Sequence, residues 1–371
     1  MMRLPYLTQL KRKAAELEQT LGKRYLERGA ALAAMVTGEE RFGTRISAKL
    51  VLDEGEDGLR RVGLFRQGTR TVVAIPGCVV HHAAIRTLLD RVPLTGRLPA
   101  PFYKHGERGF QAGRLKFLTM RVAPDTGLGG IVVSHTGVSS SSLREWLRPL
   151  MMDTCVYSVT LKESDRDRIL SDHVEHLGGP ETISYSIGSA RFALTPLVFF
   201  QNNAALAHEL VARTARVTGK KDTLLDLYGG IGAYGFKAEG FKRIMLAELD
   251  GGAIAVAKAH PGKLSGTEYV AAAVAVEEFL KGLVAKDAAR VTHAIVNPPR
   301  RGISATVARM LLAPKFTYLH TLHYVSCSME SLRTDLDRLT ERGGFRVASV
   351  TPFDMFPQTA HLETLTVLTR R

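Results

Sequence analysis

Cysteine is scarce in this 371-residue chain: Cys78, Cys155 and Cys327 are the only three, and none forms a Cys-x-x-Cys pair. That shortage excludes a disulfide framework and a four-thiolate metal site. A reduced, cytoplasmic setting is expected, with no metal bound. Long apolar runs are also lacking. No stretch of about 18 apolar residues is available for a spanning helix, and Met1-Met2-Arg3-Leu4-Pro5-Tyr6 lacks the apolar core of a secretory signal. Acidic residues are the third shortage. Fifty Lys and Arg face 36 Asp and Glu, a formal charge of +14, which points to a polyanionic partner. No basic amphipathic membrane helix stands out, so the expected polyanion is nucleic acid rather than a membrane surface. Internal repeats and low-complexity tracts are missing as well, and a hydrophobic content of 45% suffices for a sizeable core.

What is there divides into three parts. Residues 7–28 carry Leu7, Leu10, Ala14, Leu17, Leu21 and Tyr25 at helical spacing, with Lys11, Arg12, Lys13, Lys23 and Arg24 expected mostly on the wet side. Residues 1–35 are therefore read as an amphipathic helix. Residues 36–190 hold short β-leaning runs (46–52, 61–65, 71–75, 115–122, 130–134 and 155–161) between Gly, Pro and Asp turns. This is an α+β, β-rich part dominated by antiparallel sheet, in which the Ser139–Ser142 stretch caps a helix starting near Leu143. Residues 191–371 alternate strand and helix: strands are expected at 223–228, 244–249, 269–274, 294–296, 318–325, 345–351 and 362–368. The fold class of that part is α/β, a mostly parallel, doubly wound, Rossmann-like sheet whose ligands bind beyond the strand carboxyl ends.

The unusual loops all fall at that edge. Asp226-Leu227-Tyr228-Gly229-Gly230-Ile231-Gly232 is a glycine-rich turn after a strand, where the backbone can approach a ligand closely. Glu248 ends the next strand, where a carboxylate can accept both ribose hydroxyls of a nucleoside. The pattern fits S-adenosylmethionine and also NAD, though GGxG does not meet the GxGxxG fingerprint; a tight turn without ligand is the plain alternative. Asn297-Pro298-Pro299 resembles the Asn-Pro-Pro-aromatic turn of amino-methyltransferases, but its fourth residue is Arg300. That argues against an amine target and for carbon. Ser326-Cys327 closes an apolar run, and Glu363 lies 36 residues further on. A single Cys after a strand is most often a small buried hydrophobe; beside these loops it reads as a nucleophile with a partner base.

Taken together, these motifs resemble the RNA uracil-5-methyltransferase family, the TrmA/RlmC/RlmD group, strongly over 190–371 and weakly over 40–190. Phe199-Phe200-Gln201-Asn202-Asn203 is similar to the family's Phe-x-Gln-x-Asn segment, and Tyr324-Val325-Ser326-Cys327 to its nucleophile strand. Asp354 to Glu363 is similar to its C-terminal signature, and Asn-Pro-Pro-Arg-Arg-Gly most resembles the RlmC branch. The resemblance implies a class I S-adenosylmethionine methyltransferase part with a β-rich RNA-recognition part. It places Gln201, Tyr228, Gly230, Gly232, Glu248 and Asn297 at the cofactor, Cys327 as nucleophile and Glu363 as base. Phe200, Arg300 and Arg301 are candidates for RNA contact, with Phe199 and Tyr228 as further pocket-lining rings; a core role for the rings and a solvated turn for the arginines are the rival readings. Four departures stand out. Only Cys78 remains of the four cysteines that RlmC-like and RlmD-like members use for an iron–sulfur cluster, so no cluster is expected. Gly229 stands where the family has Cys. No acid occurs in Val270–Ala275, and Ser328 replaces the usual Asn.

The implied chemistry is C5-methylation of a uridine. Cys327 adds to C6, C5 accepts the methyl group, and Glu363 removes the C5 proton before the thiol is eliminated. The uracil must leave its stack, most easily from a loop or bulge. The RNA expected is 23S rRNA ahead of the tRNA T-loop or another 23S rRNA uridine, with the enzyme a monomer. Three rivals remain. A two-cysteine RNA cytosine-5-methyltransferase would need a thiol in the proline loop, which has none. A nicotinamide-dependent oxidoreductase and a non-catalytic RNA-binding protein that retains the fold are separated by affinity for NADH or S-adenosylmethionine.

Overall fold

The computed structural model describes residues 2–165, 168–260, 266–341 and 344–371. It forms two compact units, one built from Met1–Arg41 with Phe199–Arg371, the other from Phe42–Val198. The amino-terminal helix thus belongs to the unit of the C-terminal half, whereas the sequence sets 1–35 apart and puts a boundary at 190.

Helix α1 (Tyr6–Leu21) runs into a π-helical turn, Gly22–Leu26. The apolar stripe sets only part of its buried face. Leu7 is 70% exposed, whereas Gln9, Lys13, Leu17 and Leu21 are buried. The expectation of a wet Lys13 is corrected here: its ammonium forms a buried ion pair with Asp354 at 2.5 Å and donates to the Phe356 carbonyl at 3.0 Å. Gln9 Nε2 donates to Gln358 Oε1 at 2.8 Å, and the Tyr6 hydroxyl to Asp354 Oδ2 at 2.7 Å. Polar bonds on one face outweigh the leucine periodicity because a buried charge left unpaired is far costlier than an exposed Leu. The chain then makes the short strand β1 (Ala31–Leu32).

The Phe42–Val198 unit contains β2 (Ser47–Glu54), β3 (Arg60–Phe65), β4 (Val72–Ala74), α2 (Ala83–Arg91), β5 (Leu115–Val122), β6 (Gly129–His135), α3 (Ser140–Leu147), β7 (Cys155–Thr160) and β8 (Val174–Gly178). The hairpin β9 (Ile183–Ile187) and β10 (Ala190–Leu194) completes it. Its seven-stranded sheet has the order β4-β3-β2-β5-β6-β7-β8. Every pair is antiparallel except β6 with β7, which α3 connects as a crossover. Ser139 caps α3 through the Ser142 amide. Strands β5 and β6 are buried along their whole length.

The second part of the other unit begins with α4 (Ala204–Thr214) and β11 (Thr223–Leu227), α5 (Ala233–Lys237), β12 (Arg243–Glu248), α6 (Gly251–Ala259) and β13 (Glu268–Ala273). It continues with α7 (Val276–Gly282), α8 (Ala285–Ala288), β14 (Val291–Val296), α9 (Ala305–Leu311), β15 (Thr321–Ser326), α10 (Met329–Thr340), β16 (Phe345–Phe353) and β17 (Glu363–Arg370). The eight strands lie in the order β1-β16-β17-β15-β14-β11-β12-β13. Strands β11 to β15 pair in parallel, and β17 inserts antiparallel between β15 and β16. Central strands β11 and β14 are buried throughout, as helix-covered parallel strands must be. The strand order reverses between β11 and β14, the kind of switch point beyond whose carboxyl edge α/β sheets bind ligands.

Candidate active site

The glycine loop leaves β11 under strain. Tyr228 has φ 56°, a left-handed conformation rare for a bulky residue, and Gly230 and Gly232 follow at φ 55° and 79°. A Cβ on Gly232 would stand 2.4 Å from the Tyr269 hydroxyl, so only glycine fits. Above Gly230 the space is open, with no atom within 4 Å of an added Cβ. On the neighbouring strand Glu248, at the end of β12, is fixed by three backbone amides: Gly230 at 3.1 Å, Leu249 at 2.7 Å and Asp250 at 3.0 Å. Beneath the loop Asp226 is fully buried and accepts from the Gly235 amide at 3.0 Å, while its Oδ1 has no partner among the described residues. Burial, then the Glu248 charge, pushes its carboxyl up to about 7. Sequence reasoning quoted Asp226 only as part of the turn; its position at the end of an apolar strand was the available signal.

The loop after β14 is held from below. The Asn297 amide donates to the Leu227 carbonyl at 3.2 Å, tying it to the glycine loop. Buried Asp335 of α10 accepts from the Ile303 amide at 2.9 Å, the Tyr324 hydroxyl at 2.5 Å and Arg338 at 3.0 Å. Gly302, at φ 74°, passes so close that a Cβ would lie 2.0 Å from Asp335 Oδ2. The anchored turn leaves Arg300 and Arg301 exposed.

Strand register brings Cys327 and Glu363 near each other. Ser326 of β15 pairs with Thr364 of β17, and the Thr364 hydroxyl donates to the Ser326 carbonyl at 3.3 Å. Cys327 follows Ser326 and Glu363 precedes Thr364, and the Glu363 charge acts on the Cys327 thiol. Ser328 turns the chain and caps α10 through the Ser331 amide. Cys327 is half-buried and opens into a cleft of about 270 Å³ also lined by Arg300, Ser328, Glu330, His361 and Glu16 of α1. Glu363 is 3% exposed. Burial pushes its carboxyl up to about 8 against the opposing pull of Arg300. Burial first, then the Glu363 charge, raises the Cys327 thiol, and Arg300 opposes both. The α1 contacts to Asp354, Phe356 and Gln358 brace the segment that carries Glu363, as does the Asn203 amide's bond to the Met355 carbonyl at 3.4 Å.

Gly230, Gly232, Glu248, Asn297, Cys327 and Glu363 thus all stand at one sheet edge. Gln201 is half-buried two residues before Asn203, the cap of α4. The two phenylalanines differ from expectation. Phe200 is 5% exposed and packs into the core, whereas Phe199 is 64% exposed. An apolar pair read from sequence carries no sign of which ring turns inward.

Counted from β11, the order 3-2-1-4-5-7-6 with an antiparallel seventh strand, and a glycine loop facing a carboxylate, define a class I S-adenosylmethionine-dependent methyltransferase fold. The family model for tRNA (Uracil-5-)-methyltransferase matches residues 190–371. An uncharacterized RNA methyltransferase of Geobacter sulfurreducens is 27% identical over 359 residues, covering 94% of this chain and 70% of the relative. The 23S rRNA (uracil(747)-C(5))-methyltransferase RlmC of Edwardsiella ictaluri is 28% identical over 300 residues, 78% of this chain and 73% of its own. The solved Pyrococcus abyssi tRNA (uracil-54, C5)-methyltransferase, in complex with S-adenosyl-L-homocysteine, superposes with a TM-score of 0.74 at 22% identity, covering 99% of this chain and 84% of that one. Residues 190–371 are thus similar to the uracil-5-methyltransferases of RNA.

Proposed function

We propose that the protein methylates C5 of a uridine in RNA, with Cys327 as nucleophile and Glu363 as the base that removes the C5 proton. The observation that supports this reading is the Ser326–Thr364 pairing, with Cys327 and Glu363 each one residue from it at the edge shared with the glycine loop. The residues fit S-adenosylmethionine. The open space over Gly230 admits a ligand against the backbone, and the fixed carboxylate of Glu248 offers acceptors for a ribose diol. Gln201, Tyr228, Gly232 and Asn297 complete the set that holds the cofactor. When bound, it supplies an electrophilic methyl group.

The rest is done by the chain. The Cys327 thiolate adds to C6 of the uracil, which makes C5 an enolate carbon able to accept the methyl. The Glu363 carboxylate then takes the C5 proton, and elimination restores the C5–C6 double bond and releases the thiolate. Arg300, whose charge acts on both groups, favours their ionised forms at the moment each is needed. Exposed Phe199 offers a stacking surface for an unstacked base, and Arg301 a phosphate contact.

The RNA is proposed to be 23S rRNA, supported by the RlmC relative and by the Asn-Pro-Pro-Arg-Arg-Gly loop. Two experiments test the proposal. With 5-fluorouridine RNA and S-adenosylmethionine, the wild type forms a covalent adduct, Cys327→Ala forms none, and Glu363→Gln accumulates adduct on ordinary RNA. Full activity in Cys327→Ala refutes the mechanism. Mass-spectrometric mapping of 5-methyluridine in a deletion strain assigns the target, and loss from tRNA alone overturns the rRNA assignment.

A further inference from the structure

The Phe42–Val198 unit buries an arginine that its own sheet does not neutralise. Arg121 of β5 is 5% exposed, and its Nε has no hydrogen-bond partner among the described residues. Its strand partners are Ser47 on β2 and Gly130 on β6, neither of them acidic. Two residues back on the same face lies Thr119, 2% exposed, whose hydroxyl also has no partner among the described residues. Directly opposite Thr119 is Lys49, the member of the row that reaches solvent. Two cations and an unsatisfied donor therefore share one sheet face. Burial, with Tyr185 opposing it, pushes Arg121 down to about 10, and burial then Arg121 lowers Lys49. Among the described residues no carboxylate offsets either charge.

The Nε of an arginine kept for structure alone would be bonded to a carbonyl or a carboxylate, because a buried donor of a charged group left without a partner is destabilising. Side chains two apart on a strand stand roughly 7 Å from each other, a gap that one phosphate can bridge with an oxygen to each. On the β6 side the face is closed. A Cβ on Gly130 would meet Ile183 and Pro196 at 2.7 and 2.9 Å, so an anion enters from the Lys49 side.

We propose that Lys49, Thr119 and Arg121 form an anion site that takes a phosphodiester of the RNA. The site rests on the RNA reading above, and it assigns this sheet face a part in holding the substrate backbone. Phosphate contacts position a nucleic acid without reading its sequence, which suits an enzyme that must present one unstacked base to a thiol.

The test uses the full-length protein and a fluorescein-labelled RNA hairpin with uridines in its loop, followed by anisotropy over a KCl series. Arg121→Met, which keeps the volume and removes the charge, weakens binding about tenfold and lowers the slope of log Kd against log salt by about 1. Thr119→Val, isosteric and apolar, weakens binding several-fold and leaves the slope unchanged. Neither variant melts below wild type in the absence of RNA, because each removes an unsatisfied buried group. Wild-type affinity and slope in both variants overturn the site, as does stabilisation of the wild type by millimolar orthophosphate with RNA binding unaltered in both. Failure of the wild type itself to bind or methylate RNA would sink the functional reading instead.

Discussion

Replacing Glu363 by glutamine isolates the energetic consequence of burying a base. The carboxyl lies at about 8 in the fold against an ordinary 4.5, so the folded protein holds this proton over a range in which the unfolded chain has released it. Its contribution to stability is full below about 4.5 and declines as pH rises towards about 8, by roughly 1.36 kcal/mol per pH unit. Glutamine does not ionise and is free of this decline. The variant is expected to exceed wild type by about 1 kcal/mol at pH 5, about 3 at pH 7 and about 4 at pH 8. For a unit of this size each kcal/mol corresponds to about 2–4 °C in Tm, so the gap in melting temperature widens several-fold between pH 5 and pH 8. Circular dichroism melts of both proteins without ligand, at those three pH values, measure it. A gap that is constant with pH, or a variant less stable at pH 8, refutes the account of Glu363 as a buried, proton-holding carboxyl.

Three further perturbations follow from the same geometry. Because the base must be ionised, kcat/KM rises with pH towards about 8, and Arg300→Gln, which removes the charge favouring both ionised groups, moves the whole profile to higher pH. Lys13→Met leaves Asp354 buried and unpaired and lowers stability by about 3–5 kcal/mol in urea unfolding, whereas the double variant with Asp354→Leu regains most of it. Gly232→Ala places a methyl group against the Tyr269 hydroxyl at a left-handed position, which costs about 1–2 kcal/mol and weakens S-adenosylmethionine binding at least tenfold by calorimetry; Gly251→Ala, with open space around it, leaves that affinity unchanged.

The candidate site's edge was legible because several strands of the C-terminal half are apolar runs that stop at conspicuous residues. Val291–Val296 before Asn297 and Thr321–Ser326 before Cys327 are examples. The meeting of Cys327 with Glu363 was not legible in the same way. It depends on β17 inserting antiparallel beside β15, a long-range pairing that no local pattern encodes. Helix α1 misled for an energetic reason: counting leucines ranks Leu7 inside and Lys13 outside, but Lys13 has a partner 341 residues away. Strands β9 and β10 were overlooked because polar, exposed residues such as Ser184 and Arg191 interrupt their apolar pattern, and β8 because it has only one fully buried residue, Leu177. Helix α2 escaped because its cap is His82, whose ring nitrogen accepts from the Ala84 amide in place of the usual hydroxyl or carboxylate.

The sheet that houses the chemistry takes its outermost strand from the start of the chain and its last-placed strand from the end. During synthesis, residues 42–198 leave the ribosome with a core of their own and can fold while α1 waits. The helix finds its ionic partner only after position 354 has emerged, and β17 follows later still. Removal of β17 is therefore expected to leave the inserted portion able to fold while the sheet beside Cys327 stays incomplete.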